Sequence, residues 1–173
     1  GEPIRNVTRK GVLSSTELFM ATPGELGRTA VVIDDVGHFE GLGSAEFLIN
    51  KGLEVTYVTP RRDFGSAVWP TLMVDPYLQR MADKPFEFLT RTRAIAIEDD
   101  AVLVGPSYMS DATSRITRIP ADTVVLVSQN RQNREIFDEL SGTELPIYVV
   151  GDAESPRFLE TAVREGHRVG MKV

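Results

Sequence analysis

The sequence contains no cysteine, two histidines and a single tryptophan among 173 residues. Without cysteine it can form no disulfide, thiolate zinc site, iron-sulfur cluster or cysteine nucleophile of its own. His38 and His167 are too few for a histidine-rich metal site. Basic residues are also in deficit: 19 Lys and Arg against 25 Asp and Glu give a net charge of -6. That balance argues against nucleic acid and against an anionic membrane surface, since both need a basic footprint. No apolar run approaches the ~20 residues of a membrane span, and Gly1-Glu2-Pro3 does not begin a signal peptide. The expectation is a cytoplasmic chain. No Ser/His/Asp or paired-carboxylate arrangement can be defended from spacing either, and Asp34, Asp35, Asp99 and Asp100 read as solvated turn residues.

What is present is a hydrophobic share of 42%, enough for one compact domain. Its organising stretch is Arg28 to Pro60. Thr29-Ala-Val-Val-Ile-Asp-Asp35 is a β-branched apolar run and Leu53-Glu-Val-Thr-Tyr-Val-Thr59 is a second. Between them lies a glycine-bearing turn and a helix-length segment closed by Gly52, so that the whole spells one βαβ unit. The first run lacks polar alternation, as a parallel strand covered on both faces does. The spacing predicts further strands at Phe86–Thr90, Ala94–Glu98, Ala101–Val104, Ser114–Ile119, Ala121–Val127 and Pro146–Val150. Residues 94–119 read as a β-meander. Helices are predicted after a Ser14 or Ser15 cap, over 68–83 with Pro70 or Pro76 as start or kink, over Arg134–Leu140, and over Pro156–Arg168 with Phe158, Leu159, Ala162 and Val163 on one face. The runs 30–33, 55–58, 124–127 and 147–150 are expected as adjacent parallel strands of one sheet. Residues 1–10 read as a frayed lead-in.

The fold class is therefore α/β: a Rossmann-like parallel central sheet flanked by helices, with a β-meander crossover. Three segments are expected: a lead-in and short helix at 1–27, a Rossmann-like lobe at 28–128 and a closing segment at 129–173.

Four blocks carry a resemblance: Val31-Val-Ile-Asp-Asp-Val-Gly-His-Phe-Glu-Gly41, Glu54-Val-Thr-Tyr-Val-Thr-Pro60, Ala121-Asp-Thr-Val-Val-Leu-Val127, and Gly151-Asp-Ala-Glu-Ser-Pro-Arg157 with Gly166-His167. Their order resembles the carboxyl-terminal dinucleotide-binding region of the NADH:flavin oxidoreductase family, the family of 2,4-dienoyl-CoA reductase, trimethylamine dehydrogenase and histamine dehydrogenase. The resemblance implies a fragment of a flavin-dependent oxidoreductase, its dinucleotide-binding electron-transfer lobe, with residues 28–128 as a nicotinamide-type lobe and residues 129–173 as the returning end of an FAD- or ADP-type lobe. An FMN-bearing barrel, a four-cysteine iron-sulfur segment and the first FAD-type unit would lie in other parts of the parent protein. Those portions are the implied partners, together with an electron-carrier protein. Apart from the resemblance, apolar residues of the last helix such as Phe158 and Leu159 need cover, for which a neighbouring copy of the chain in a homodimer is the candidate. The alternative is a noncatalytic Rossmann-like structural or docking domain that has lost dinucleotide binding.

Two candidate sites follow. At the first, Asp35, Gly37, His38, Gly41 and Gly43 lie where backbone amides close on the diphosphate of NAD or NADP in a dinucleotide fold. Their spacing is not GxGxxG, and a carboxylate ~4 Å from a diphosphate costs several kcal/mol where water is excluded. A turn that binds nothing is the competing reading. Arg61 and Arg62 follow the second strand, where no acidic residue waits for a ribose 2′-hydroxyl. They suit the 2′-phosphate of NADPH, or are two solvated arginines. At the second site, Gly151, Asp152 and Arg157 resemble the segment that meets FAD or ADP in related reductases. Asp152 as a helix cap is the competing reading. One helix terminus contributes about 1 kcal/mol to an anion, whereas micromolar binding needs about 8. The chain alone is therefore expected to be colourless and inactive. His38 and His167 read as structural.

Overall fold

The computed structural model describes residues 4–5, 11–144 and 146–173. Most of the expected lead-in thus lies outside the described residues. Two compact units divide the chain, Gly1–Ser128 and Gln129–Val173.

In the first unit five parallel strands stand in the order β1-β8-β2-β3-β4. They are β1 (Val12–Ser14), β2 (Thr29–Asp34), β3 (Glu54–Val58), β4 (Phe86–Leu89) and β8 (Thr123–Val127). Val32 is opposite both Tyr57 and Val125, so the three predicted central runs are neighbours in one register. A second, antiparallel sheet holds β5 (Thr92–Ile97), β6 (Ala101–Pro106) and β7 (Thr117–Pro120) in that order, which is the expected meander. The Rossmann-like α/β class is borne out.

Why β2 is apolar throughout is visible in how its side chains divide. Ala30 and Val32 join a core with Leu42, Ala45 and Leu48 of helix α2 (Phe39–Asn50), whereas Val31 and Ile33 join Ala94, Ile97 and Val102 of the meander. Alternate residues face opposite layers, and both layers are apolar. Each such valine contributes about 1.5–3 kcal/mol through its burial. Helix α2 stops where Gly52 turns left-handed at φ +88°, as its position predicted. Helix α1 (Ser15–Met20) starts at a capping box between Ser14 and Glu17, which satisfies two end amides. The window 68–83 splits at Leu72, which adopts φ +60° between a 3-10 turn at Trp69–Thr71 and helix α3 (Val74–Met81). Pro70 lies in that 3-10 turn and Pro76 in the first turn of α3, so both prolines mark helix starts.

Asp122 ties β2 to β8. Its Oδ2 accepts from the amides of Arg28 (2.8 Å) and Thr29 (2.9 Å) and from the Thr29 hydroxyl (3.0 Å). The Thr29 amide first, then the Arg28 amide and the Thr29 hydroxyl, hold its carboxyl below the usual range. A carboxyl depressed by folding stabilises fully above its unfolded value, about pH 4, and loses that contribution as pH falls through the folded value. Urea midpoints followed down from neutral pH should therefore fall at acid pH. An Asp122→Asn variant should start about 1 kcal/mol lower and lose part of that slope. Parallel curves for the two proteins would contradict this.

The second unit holds α4 (Glu135–Leu140), a 3-10 turn at Gly151–Ala153 and α5 (Leu159–Gly170). The strand expected at Pro146–Val150 is not formed: residues 146–150 pair with no strand. A strand exists only through a hydrogen-bonded neighbour, and this apolar run has none among the described residues. Ser114, expected in a strand, lies in a 3-10 turn at Ala112–Arg115. Neither apolar core cluster reaches beyond Val127. No helix among the described residues is long and apolar enough to cross a membrane.

Candidate functional site

At the carboxyl end of the parallel sheet, β2 ends in Asp34. This residue is not the solvated turn residue expected: its exposure is 0%. Its Oδ1 accepts from the amides of Val36 and Gly37, each at 2.7 Å. Its Oδ2 accepts from the Tyr57 hydroxyl. Burial, then the charge and hydrogen bond of Asp34, push the Tyr57 phenol far above its ordinary range and keep it a donor. The amides that a dinucleotide fold turns toward a diphosphate are thus satisfied by the chain's own carboxylate, which removes the cost of leaving them buried and unpaired.

The glycines of the turn divide by role. A Cβ on Gly41 would stand 2.0 Å from Asp34 Oδ2, so the absence of a side chain there lets the first turn of α2 close on the carboxylate. Gly37 is left-handed at φ +76°, and a Cβ on it would stand 2.5 Å from Ser66 Oγ. Gly43 faces open space. His38 is the N-cap residue of α2 without a side-chain cap bond, and its ring meets Phe39 edge-on at 5.0 Å.

The loop after β3 folds down over this turn. The Ala67 amide donates to the Gly37 carbonyl at 2.8 Å. Phe64 packs in the core against Tyr57, ring centroids 4.8 Å apart. Arg61 donates to the Asp35 carbonyl from Nε (3.1 Å) and Nη2 (2.8 Å), so its guanidinium is a brace between loop and turn. Arg62 points outward to Asp63 at 3.1 Å. Asp35 itself has an exposed surface, as expected. Desolvation by the packed turn, then the charge of Asp34, push its carboxyl up, and Arg61 partly offsets them.

The structure therefore gathers Asp35, Gly37, His38, Gly41 and Arg61 around one turn, with Arg62 and Gly43 facing away. Sequence reasoning did not single out Tyr57, although a tyrosine inside the valine-rich run Val55-Thr-Tyr-Val58 was the available signal, because a buried phenol needs a partner.

In the second unit, Gly151 is left-handed at φ +63° and its amide donates to Glu165 Oε2 at 2.9 Å. Arg157 Nη2 donates to the other oxygen of Glu165 at 3.0 Å. Glu165, 9% exposed, thus binds two of the three residues picked from sequence. Asp152 is exposed. It does not cap α5, whose N-cap is Phe158. Asp152 also edges a cleft of about 510 Å³ floored by Ile136, Leu140, Ile147 and Val149. No group of three or more His, Asp or Glu that could hold a metal ion occurs among the described residues.

No protein-family model matches the chain. Over 60 residues it is 33% identical to dimethylamine dehydrogenase of Hyphomicrobium sp. (strain x), a match covering 30% of this chain and 8% of that enzyme. Its fold is similar to that of histamine dehydrogenase from Rhizobium sp. 4-9, with a TM-score of 0.86 and 22% identity over 99% of this chain and 27% of that one. It is equally similar to 6-hydroxypseudooxynicotine amine oxidase from Pseudomonas geniculata N1, with a TM-score of 0.87 and 24% identity over 98% of this chain and 25% of that one. The chain spans about a quarter of the length of these two enzymes. The resemblance read from the four sequence blocks is borne out as a fold shared along the whole chain.

Proposed function

We propose that the chain is a piece of a flavin-dependent oxidoreductase of the NADH:flavin family, in which the nicotinamide-type lobe, residues 28–128, has become a structural lobe. The observation that carries this reading is the Asp34 carboxylate bound by the Val36 and Gly37 amides. A diphosphate approaching the same amides would meet a buried carboxylate and, above it, the loop that joins Ala67 to Gly37. The residues present do not fit the dinucleotide, so no hydride step is routed through this turn. Arg61 is engaged with the Asp35 carbonyl, which also removes the basis for a 2′-phosphate preference.

The returning segment, residues 129–173, is assigned to the end of an FAD- or ADP-type pocket of the parent protein, with Gly151 and Asp152 at its edge. What supports this is the fold shared with an amine oxidase and a histamine dehydrogenase over the full chain. The substrate and the flavin chemistry belong to the other portions of such a protein.

Titration of the chain with NADH and NADPH to about 1 mM tests the reading, a ceiling that corresponds to about 4 kcal/mol of binding. No saturable signal is expected from either, and the purified chain should show no flavin absorption band. Saturable binding of NADPH below about 100 μM, lost in Arg61→Ala, would restore the dinucleotide reading.

A further inference from the structure

We infer that a cleft at the amino end of the parallel sheet is a binding site for a free α-amino acid with a short aliphatic side chain, held by its two charges. The cleft, of about 440 Å³, lies between β3, the start of β4 and β7. It is at the opposite end of the sheet from Asp34, and the inference does not rest on the flavoprotein reading. Its volume is within the roughly 300–1,000 Å³ of small-ligand sites. One face of the sheet changes character along its strands to form it. Thr29 is opposite Glu54, Val31 is opposite Thr56, and Thr56 is opposite Glu87, so these side chains share a face. Farther along that face Val31, Ile33, Val58 and Leu89 pack under the meander. Where the meander covers the face it is apolar, and where the cleft opens it is Thr29, Glu54, Thr56 and Glu87. A face awaiting an apolar cover would stay apolar to its end, so the polar step marks a wet site and not a hidden interface.

The lining selects the ligand. Lys84, just before β4, is its base, and Glu54 and Glu87 are its acids. Glu54 is already drawn toward Arg28, 3.9 Å away. Lys84 and Glu87 have no ion-pair partner among the described residues, each other included. One cleft thus holds two opposite charges that do not quench each other. A simple anion would gain from Lys84 and be repelled by Glu87, and a simple cation would meet the reverse. A zwitterion sets its carboxylate toward Lys84 and its ammonium toward Glu87, and so meets no like charge. The half-buried hydroxyl of Thr56, opposite Glu87, donates to a carboxylate or accepts from an ammonium. Ile119, 8% exposed, and Pro120 give the aliphatic side chain its wall. Because Lys84 and Glu87 are themselves exposed, each charge contact contributes little, and the site is a weak one.

Titration of the full chain with L-leucine, followed through the backbone amide shifts by two-dimensional NMR, tests this. Saturable shifts at Thr56, Glu87 and Ile119 are expected, with a Kd of about 1 mM. 3-Methylbutylamine, which is leucine without its carboxylate, and 4-methylpentanoate, which is leucine without its amine, should each bind several-fold more weakly. Lys84→Gln and Glu87→Gln, both at exposed positions, should each raise the Kd for leucine several-fold. Lys84→Gln should not weaken binding of the amine, which has no group for Lys84 to hold. Circular dichroism identical to the parent chain would show that the variants fold. No saturable shift up to about 20 mM, shifts confined to residues away from the cleft, an amine or a carboxylate that binds as tightly as leucine, or a Kd indifferent to both variants would each overturn the inference.

Discussion

Replacement of Asp34 by alanine is expected to cost about 3–5 kcal/mol of stability, a large part of the 5–15 kcal/mol typical of a domain. The carboxylate is fully buried and serves three donors: the amides of Val36 and Gly37 and the hydroxyl of Tyr57. Without it, all three are left in a packed turn, and each unsatisfied group costs about 1–3 kcal/mol. Asp34→Asn keeps the shape and one carbonyl acceptor, so its cost should be nearer 1–2 kcal/mol. Tyr57→Phe removes one donor and leaves Oδ2 without it, again about 1–3 kcal/mol. Because the residues act as one network, the losses should not add: Tyr57→Phe on an Asp34→Ala background should cost clearly less than on the parent. Urea unfolding followed by circular dichroism measures the four variants against the parent. A loss below about 0.5 kcal/mol for Asp34→Ala, the size of an ordinary surface substitution, would mean that the carboxylate does not hold the turn.

The second large effect comes from two glycines on one helix. Gly41→Ala and Gly43→Ala are the same chemical change two positions apart, and both should gain roughly 0.5–1 kcal/mol of helix propensity. At Gly43 the new methyl meets nothing within 4 Å, so the gain should survive as a raised urea midpoint. At Gly41 it would overlap Asp34 Oδ2 at 2.0 Å and Cγ at 2.6 Å. That carboxylate is held by three hydrogen bonds and cannot swing aside without breaking them. Overpacking there should outweigh the propensity and leave a net loss of about 2–4 kcal/mol. The two substitutions should thus move stability in opposite directions. Equal shifts in the same direction would show that α2 does not close on Asp34.

These residues also show what could be read before the structure. The central strands were legible because burial on both faces writes itself into the sequence as Val31-Val-Ile33 and Val124-Val-Leu-Val127, with no polar alternation. The meander was legible from short apolar runs around the turn at Asp99-Asp100. Strand β1 was not, since three residues carry no periodicity. Pro146–Val150 has the composition of a strand and lacks a neighbour to pair with among the described residues, a property of the surroundings rather than of the segment. Asp34 was misjudged for a similar reason. An aspartate after an apolar strand has the local signature of a solvated turn, and only Tyr57, 23 residues further on, together with the missing side chain of Gly41, lets the carboxylate turn inward. Glu165 is likewise defined by Gly151, 14 residues before it. Contacts of that range leave no mark in local pattern, which is why the two glycine-bearing turns were readable and the carboxylates that fill them were not.

The strand order β1-β8-β2-β3-β4 bears on how the chain folds during synthesis. β8 lies between β1 and β2, pairing Val124 with Val12 and with Val31, yet it leaves the ribosome after every other strand of the sheet. At roughly 5–20 residues per second, β2 waits on the order of ten seconds with one edge unpaired. Loop closure over so long a separation also makes the final docking slow. The nascent chain up to β7 therefore carries an open strand edge prone to edge-to-edge pairing, and a chaperone that covers the unpaired backbone of Ala30–Asp34 during that interval would protect it.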